Sequence, residues 1–143
     1  MYKISTRGQY ALLIMEDLAK GDADKYIPLK LLSHRRNLSV KYLEQILIQL
    51  SKSGLVIGIR GSNGGYKLTK PASEYTAGDI LRAMEGELSP RGIQPDDNNT
   101  VLSEGSKKFW NSFDSTINEF VDSVSLEDIT KTSSNFVGYE YCI

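Results

Sequence analysis

The chain has 143 residues, of which 24% are charged and 40% apolar, with a net charge of −1 at pH 7. That composition is ordinary for one globular domain with an accessory element, or for one subunit of an intertwined dimer. It excludes a membrane protein, since no apolar run approaches the roughly 18 residues of a span, and the start of the chain carries no long apolar signal core; a cytoplasmic protein is expected.

One cysteine, Cys142, and one histidine, His34, rule out an internal disulfide and a multi-cysteine metal site, and no cofactor is expected. The near-zero net charge conceals a division. Residues 1–70 carry +7 and residues 71–143 carry −8. A basic half fits a polyanionic partner, although a solvated charged surface is the bland alternative.

In chain order, Ser5 or Thr6 can cap a first helix, Thr6 having capping-box spacing to Gln9. Ala11, Ile14, Met15, Leu18 and Ala19 then form one apolar helical stripe that Gly21 ends. Pro28 suits the first turn of a short second helix reaching about Arg36. After the tight connection at Asn37 and Leu38, Ser39 caps a third helix. Its buried stripe is Leu43, Ile46, Leu47 and Leu50, and its polar stripe is Lys41, Gln45, Gln49 and Lys52, with Tyr42 and Glu44 alongside; Gly54 stops it.

The period then changes. Residues 55–60 read as a strand, 61–65 (Gly-Ser-Asn-Gly-Gly) as a hairpin tip, and 66–69 as the return strand. Thr76, with Asp79 three residues on, starts a fourth helix that buries Ala77, Ile80, Leu81 and Met84 and ends at Gly86. Residues 87–105 read as a flexible connection. A long helix from about Ser106 carries Trp110, Phe113, Ile117, Phe120 and Val124 at spacings of three, four, three and four, a seam that packs along another helix and makes these five the dimerisation candidates. A short helix over 125–130 and a tail over 133–143 complete the chain. The domain reading is therefore 1–86, a connection 87–105, a dimerisation segment 106–132 and the tail.

Two short helices, a tight turn, a third helix with a long polar face and a Gly-tipped hairpin make a mainly α fold with a small β-hairpin: a winged helix-turn-helix plus a long C-terminal dimerisation helix. The exposed stripe of such a third helix can reach base edges in the major groove of double-stranded DNA. Lys41, Tyr42, Glu44 and Gln45 lie in its first turn and a half and are the base-readout candidates; Gln45 can pair with adenine and Glu44 can accept from cytosine. Arg60, with Ser62 and Asn63, lies where the wing meets a minor groove. Ser5, Thr6, Arg7, Lys30, Arg35 and Arg36 are phosphate candidates, assisted by helix-start amides. Singly, an exposed Lys or Gln is more often solvent surface; the order of elements and the basic imbalance carry the set. An enzyme is disfavoured because no nucleophile–histidine pair, phosphate-binding loop or metal cluster can be assembled, and a protein-interaction winged helix sits poorly with the basic half.

The stretches Ile4-Ser5-Thr6-Arg7-Gly8-Gln9-Tyr10, Tyr42-Leu43-Glu44-Gln45, Gly54-Leu55-Val56, Arg60-Gly61-Ser62-Asn63-Gly64-Gly65-Tyr66 and Thr76-Ala77-Gly78-Asp79-Ile80 resemble the Rrf2 family over roughly residues 1–130. The resemblance implies a homodimer on a palindromic operator, base contacts at Lys41, Tyr42, Glu44 and Gln45, and a minor-groove role for Arg60. Cluster-binding members of the family carry three closely spaced cysteines after the fourth helix; residues 87–105 have none, so iron–sulfur ligation is not expected. Gly86-Glu87-Leu88-Ser89-Pro90 and Leu126-Glu127-Asp128-Ile129 instead resemble the cysteine-metabolism repressor branch. That branch implies a repressor of cysteine or sulfur genes and, as partner, O-acetylserine thiol-lyase, an enzyme that also grips an isoleucine-ended tail of serine acetyltransferase. The stretch Glu140-Tyr141-Cys142-Ile143 makes Tyr141 and Ile143 the docking candidates.

Overall fold

Ser5 starts the first helix. Its hydroxyl accepts the Gly8 amide at 3.0 Å, and α1 runs over Thr6–Lys20. Of the two caps open in the sequence, Ser5 is the one used; Gln9 turns back to donate to the Ile4 carbonyl at 3.3 Å instead of completing a box with Thr6. The computed structural model describes residues 3–89 and 101–141, with side chains up to 133.

Pro28 leads into α2, Leu29–Arg36, which stops because Asn37 takes a left-handed conformation with φ of 52°. Ser39 caps α3, Val40–Lys52, by accepting the Tyr42 amide at 3.1 Å, a bond of the kind worth about 1 kcal/mol. Leu43, Ile46, Leu47 and Leu50 are fully buried against Ala11, Ile14, Met15 and Leu18 of α1 and Leu32 of α2. This cluster fixes how α2 and α3 cross. Truncating a member such as Leu47 to Ala costs about 2–5 kcal/mol.

The hairpin pairs β1, Val56–Ile59, with β2, Gly65–Leu68, antiparallel, Val56 opposite Leu68 and Ile59 opposite Gly65. Ile27 adds a bridge on the other side: its amide donates to the Tyr66 carbonyl at 2.8 Å and its carbonyl accepts from the Tyr66 amide at 3.0 Å. Here glycine is needed at 65. Its φ is +151°, and a Cβ there would strike the Ile27 carbonyl. The base of the hairpin is held by Tyr75, fully buried after the short 3₁₀ turn Ala72–Glu74. Its hydroxyl donates to the Leu55 carbonyl at 2.7 Å and accepts the Thr69 amide at 2.9 Å.

Thr76 and Asp79 form a reciprocal capping box at the start of α4, Ala77–Glu85, which Gly86 ends. Ala77 and Ile80 are buried, while Leu81 and Met84 are half-buried. Ser103 caps α5, Glu104–Ser123, and α6 follows over Leu126–Tyr141. The end of α5 returns to the start of α4, where the Ala77 amide donates to the Val124 carbonyl at 2.8 Å and the Leu126 amide to the Tyr75 carbonyl at 2.9 Å. α5 packs on α4 and α6 on α1.

Two stretches differ from expectation. The connection over 87–105 opens with ordered contacts: Leu88 is 3% exposed, its carbonyl accepts from Asn118 Nδ2 at 2.8 Å, and Ser89 Oγ donates to Asp114 at 3.1 Å. The tail expected from 133 is instead helix to Tyr141, because α6 lies along α1 and Ser133 Oγ donates to Glu16 Oε1 at 2.6 Å. Tertiary packing here outweighs a weak local pattern. Among the described residues no helix is long and apolar enough to cross a membrane.

Candidate nucleic-acid interface

The exposed side of α3 faces the hairpin, and a groove between them is lined by Val40, Glu44, Ile48, Ile59, Arg60 and Tyr66. Lys41, Glu44 and Gln45 are exposed in the first turns of α3, where the Ser39 cap leaves their side chains clear of the core, and Tyr42 is half-buried. Arg60, Ser62 and Asn63 are exposed at the hairpin tip. Of the candidates, Glu44 of α3 shares this groove with Arg60 and Ser62 of the hairpin, whereas Gln45 and Tyr42 lie against Arg7 of α1. Lys30, at the start of α2, lines the same groove.

Sequence alone did not single out Val40, Ile48 or Tyr66 as members of this surface. Ile48 is 43% exposed and Val40 41%, whereas Leu43, Ile46, Leu47 and Leu50 of the same helix are fully buried. That is the one signal that points to them. Tyr66 lies over its cross-strand partner Gly58. Its phenol is pushed up from its ordinary value by burial, then by the Glu44 carboxylate, with Arg60 pulling the other way.

The phosphate candidates separate. Arg35 and Lys30 are exposed at the two ends of α2, and Thr6 is exposed at the start of α1. Ser5 is committed to capping α1 and to the Glu85 carboxylate, which takes both its backbone amide, at 2.8 Å, and its hydroxyl. Arg7 turns toward α3, its Nη2 donating to Gln45 Oε1 at 3.3 Å and its guanidinium carbon 5.9 Å from the Tyr42 ring centroid. Arg36 is engaged elsewhere: it grips Asp17 of α1, whose side chain is 4% exposed. That bond is the main reason its guanidinium holds its proton more firmly than usual. The ion pair ties α2 to α1 and occupies the Nε and Nη2 groups of Arg36, whereas Arg35 is exposed. Gln49, expected on the polar stripe, is half-buried and donates to the Ala83 and Met84 carbonyls at 3.2 and 3.4 Å, tying α3 to the end of α4.

The seam on α5 faces largely outward. Phe113 is 40% exposed and Phe120 65%, joined by Phe109 at 57%, while Trp110, Ile117 and Val124 are half-buried. Phe109, Trp110 and Phe113 form one aromatic cluster with centroids 5.0 to 6.0 Å apart. Val121 and Asn118, on the other side of the helix, face the rest of the chain. Of the docking candidates, Tyr141 is the last residue of α6 and Ile143 lies outside the described residues.

A sequence profile of the Rrf2 family, described as iron-dependent transcriptional regulators, matches residues 4–132. The chain is 39% identical over 127 residues to the HTH-type transcriptional regulator CymR of Bacillus subtilis (strain 168), spanning 89% of this chain and 88% of the relative. It is 30% identical over 135 residues to the HTH-type transcriptional regulator IscR of Cereibacter sphaeroides, spanning 90% and 87%. The solved structure of CymR (YrzC), described as the global cysteine regulator of B. subtilis, superposes with a TM-score of 0.79 at 39% identity, over 92% of this chain and 98% of that one.

The family description raises iron, and the donors present can be tested against it. The whole chain has one thiol and one imidazole, at Cys142 and His34. Among the described residues no three His, Cys, Asp or Glu side chains gather where they can hold a metal ion. A thiolate-held cluster needs several sulfurs at one place, so the donor set does not fit one. The profile, the relatives and the shared fold agree on one assignment: the chain belongs to the Rrf2 family of transcriptional regulators.

Proposed function

We propose that this regulator is a homodimeric repressor of cysteine or sulfur metabolism genes that binds a palindromic operator. In this reading α3 enters the major groove, with Lys41, Tyr42, Glu44 and Gln45 at base edges. Arg60, Ser62 and Asn63 approach the adjacent minor groove, and Thr6, Lys30 and Arg35 contact phosphates. The observation that supports it is the groove that Glu44 in the exposed start of α3 borders together with Arg60 and Ser62 of the hairpin. The dimer is supported by the outward aromatic seam of α5, since apolar side chains this exposed and this clustered mark an interaction surface. The isologous partner is a second α5, and two linked recognition helices read two half-sites about one helical turn apart.

The cysteine assignment draws on CymR and its description as a global cysteine regulator. The likeness to IscR supports a second reading, a regulator of a different stress or metabolic regulon. A role in protein interaction alone has only the fold in its favour. Genome-wide mapping of bound sites separates the first two. Duplex binding by anisotropy at two salt concentrations tests both against the third, because neutralised phosphates make DNA affinity fall steeply with salt. Docking of O-acetylserine thiol-lyase through the segment containing Tyr141 and Ile143 belongs to the cysteine reading. Calorimetry with an Ile143 deletion tests it: unchanged binding of the enzyme excludes that contact.

A further inference from the structure

We infer that Arg7 is a specificity-determining residue, one that fixes which end of the Gln45 amide meets the DNA. The inference rests on the proposal that α3 is the base-reading helix. Arg7 Nη2 donates to Gln45 Oε1 at 3.3 Å, and its guanidinium also sits against the Tyr42 ring. Tyr10 meets that same ring edge-on, with centroids 6.0 Å apart and planes at 90°. The first turn of α1 thus contributes to the surface of α3.

A guanidinium has five N–H donors and no acceptor. Only the oxygen of Gln45 can face it, so the amide orientation follows from chemistry. The Nε2 group, with its two donors, is the end left for a ligand. Glutamine that reads adenine uses both ends, donating to N7 and accepting from the N6 amino group. With one lone pair of Oε1 taken by Arg7 and a cation beside it, the Nε2 donors are the freer end of Gln45 for a base edge. A donor pair matches the guanine edge, where N7 and O6 are both acceptors. The remaining N–H groups of Arg7 extend the same donor surface.

The arrangement is anchored from behind. The Ser5 amide donates to Glu85 Oε1 at 2.8 Å, and the Ser5 hydroxyl joins Glu85 while capping the Gly8 amide. A Cβ at Gly8 would meet that carboxylate, so any larger residue there would have to push the Glu85 side chain aside. Arg7 is thereby carried on a turn pinned on both sides. A plain phosphate contact gives no reason for its guanidinium to lie on Tyr42 and Gln45.

The test is selection from a randomised double-stranded DNA library with the full chain and its Q45A, R7M and R7K variants, reading base preference at each position of the recovered sites. Q45A should flatten one position, and the parent should prefer guanine there. R7M frees Oε1 and should move that position toward adenine, changing the guanine-to-adenine ratio about ten-fold. R7K, whose ammonium likewise only donates, should keep guanine. A parent preference for adenine overturns the inference whatever the variants do. So does an R7M protein that binds every site more weakly with the position unchanged. If Q45A flattens no position, Gln45 reads no base and the inference falls with that premise; if Q45A flattens one and R7M does not shift it, the role of Arg7 alone fails.

Discussion

Arg36 of α2 and Asp17 of α1 form a two-pronged ion pair, with Nε 2.7 Å from Oδ2 and Nη2 2.5 Å from Oδ1, and the carboxylate is almost fully buried. Its neighbour Arg35 is exposed. Two adjacent arginines thus have different tasks. Arg36→Ala strands a buried carboxylate and should cost about 2–4 kcal/mol, lowering the melting temperature on the order of 10 °C. Arg35→Ala should leave the melting temperature unchanged, weaken binding to all DNA sequences alike and reduce the salt slope by about 1. Thermal melts and salt titrations of the two variants check this; a melting temperature unaffected in R36A contradicts the structural role.

Base readout is the second expectation. Gln45→Ala and Glu44→Ala should each relax preference at one base pair, costing about 1–3 kcal/mol on the preferred site and much less on non-specific duplex. Competition binding with a panel of single-base operator variants measures this. A Q45A protein that ranks the panel like the parent removes Gln45 from the readout set.

Most of the fold was legible because α1, α3 and α4 carry full apolar stripes and a side-chain cap each, and because Asn63-Gly64 marks the hairpin. What escaped depended on partners distant in the chain. Gln49 has the spacing of a solvent-facing residue, yet its hydrogen bonds go to carbonyls at 83 and 84. Arg36 looks like its neighbour until Asp17 is placed beside it. The length of α6 is not legible because residues 131–141 hold two serines, a threonine, an asparagine and a glycine, all poor helix formers, and packing on α1 and on the 3₁₀ turn supplies the missing stabilisation. The exposed stripe of Lys41, Glu44 and Gln45 was legible from the spacing. The coupling of Arg7 to it was not, since spacing says nothing about which helix start lies beside α3.

Assembly gives the third expectation. Phe113→Glu puts a charge in the middle of the exposed α5 cluster, where a partner helix would have to desolvate it. The variant should run as a monomer in light scattering at micromolar concentration, with a far-ultraviolet spectrum like the parent. Its operator affinity should drop at least ten-fold, because two half-sites are no longer engaged together. A parent protein that is itself monomeric under these conditions refutes the dimer.

Acid sensitivity follows from the α4–α5 staple. Arg82 donates to Asp122 at 2.7 and 3.0 Å, and this bond holds the Asp122 carboxyl below its ordinary value of 3.8. A backbone bond from Ser125 lowers Asp128 in the same way. A depressed carboxyl contributes stability that is present above the ordinary value and is lost as pH falls through the lower folded one. Asp122→Asn should therefore reduce stability modestly at pH 7 and narrow the gap to the parent below about pH 4. Both groups are exposed, so added salt should shrink the effect. Denaturant melts across pH check the sign; a gap that widens in acid contradicts it.

The last expectation concerns iron. The family is described as iron-dependent, but this chain offers a single thiol, at position 142, and a single imidazole, at His34 on α2. His34 is exposed on α2, away from any gathering of donors among the described residues. Cluster ligation by thiolates needs several cysteines close together, and exchange of one sulfur for nitrogen or oxygen does not supply the other three. The regulator should therefore purify colourless under anaerobic conditions, with iron well below one atom per subunit by elemental analysis. Operator affinity should be the same after treatment with an iron chelator or after incubation with ferrous iron and sulfide. A visible absorption band that bleaches with dithionite, together with iron at one atom or more per subunit, would show that two or more subunits pool their donors, and the exclusion of a cluster would fall.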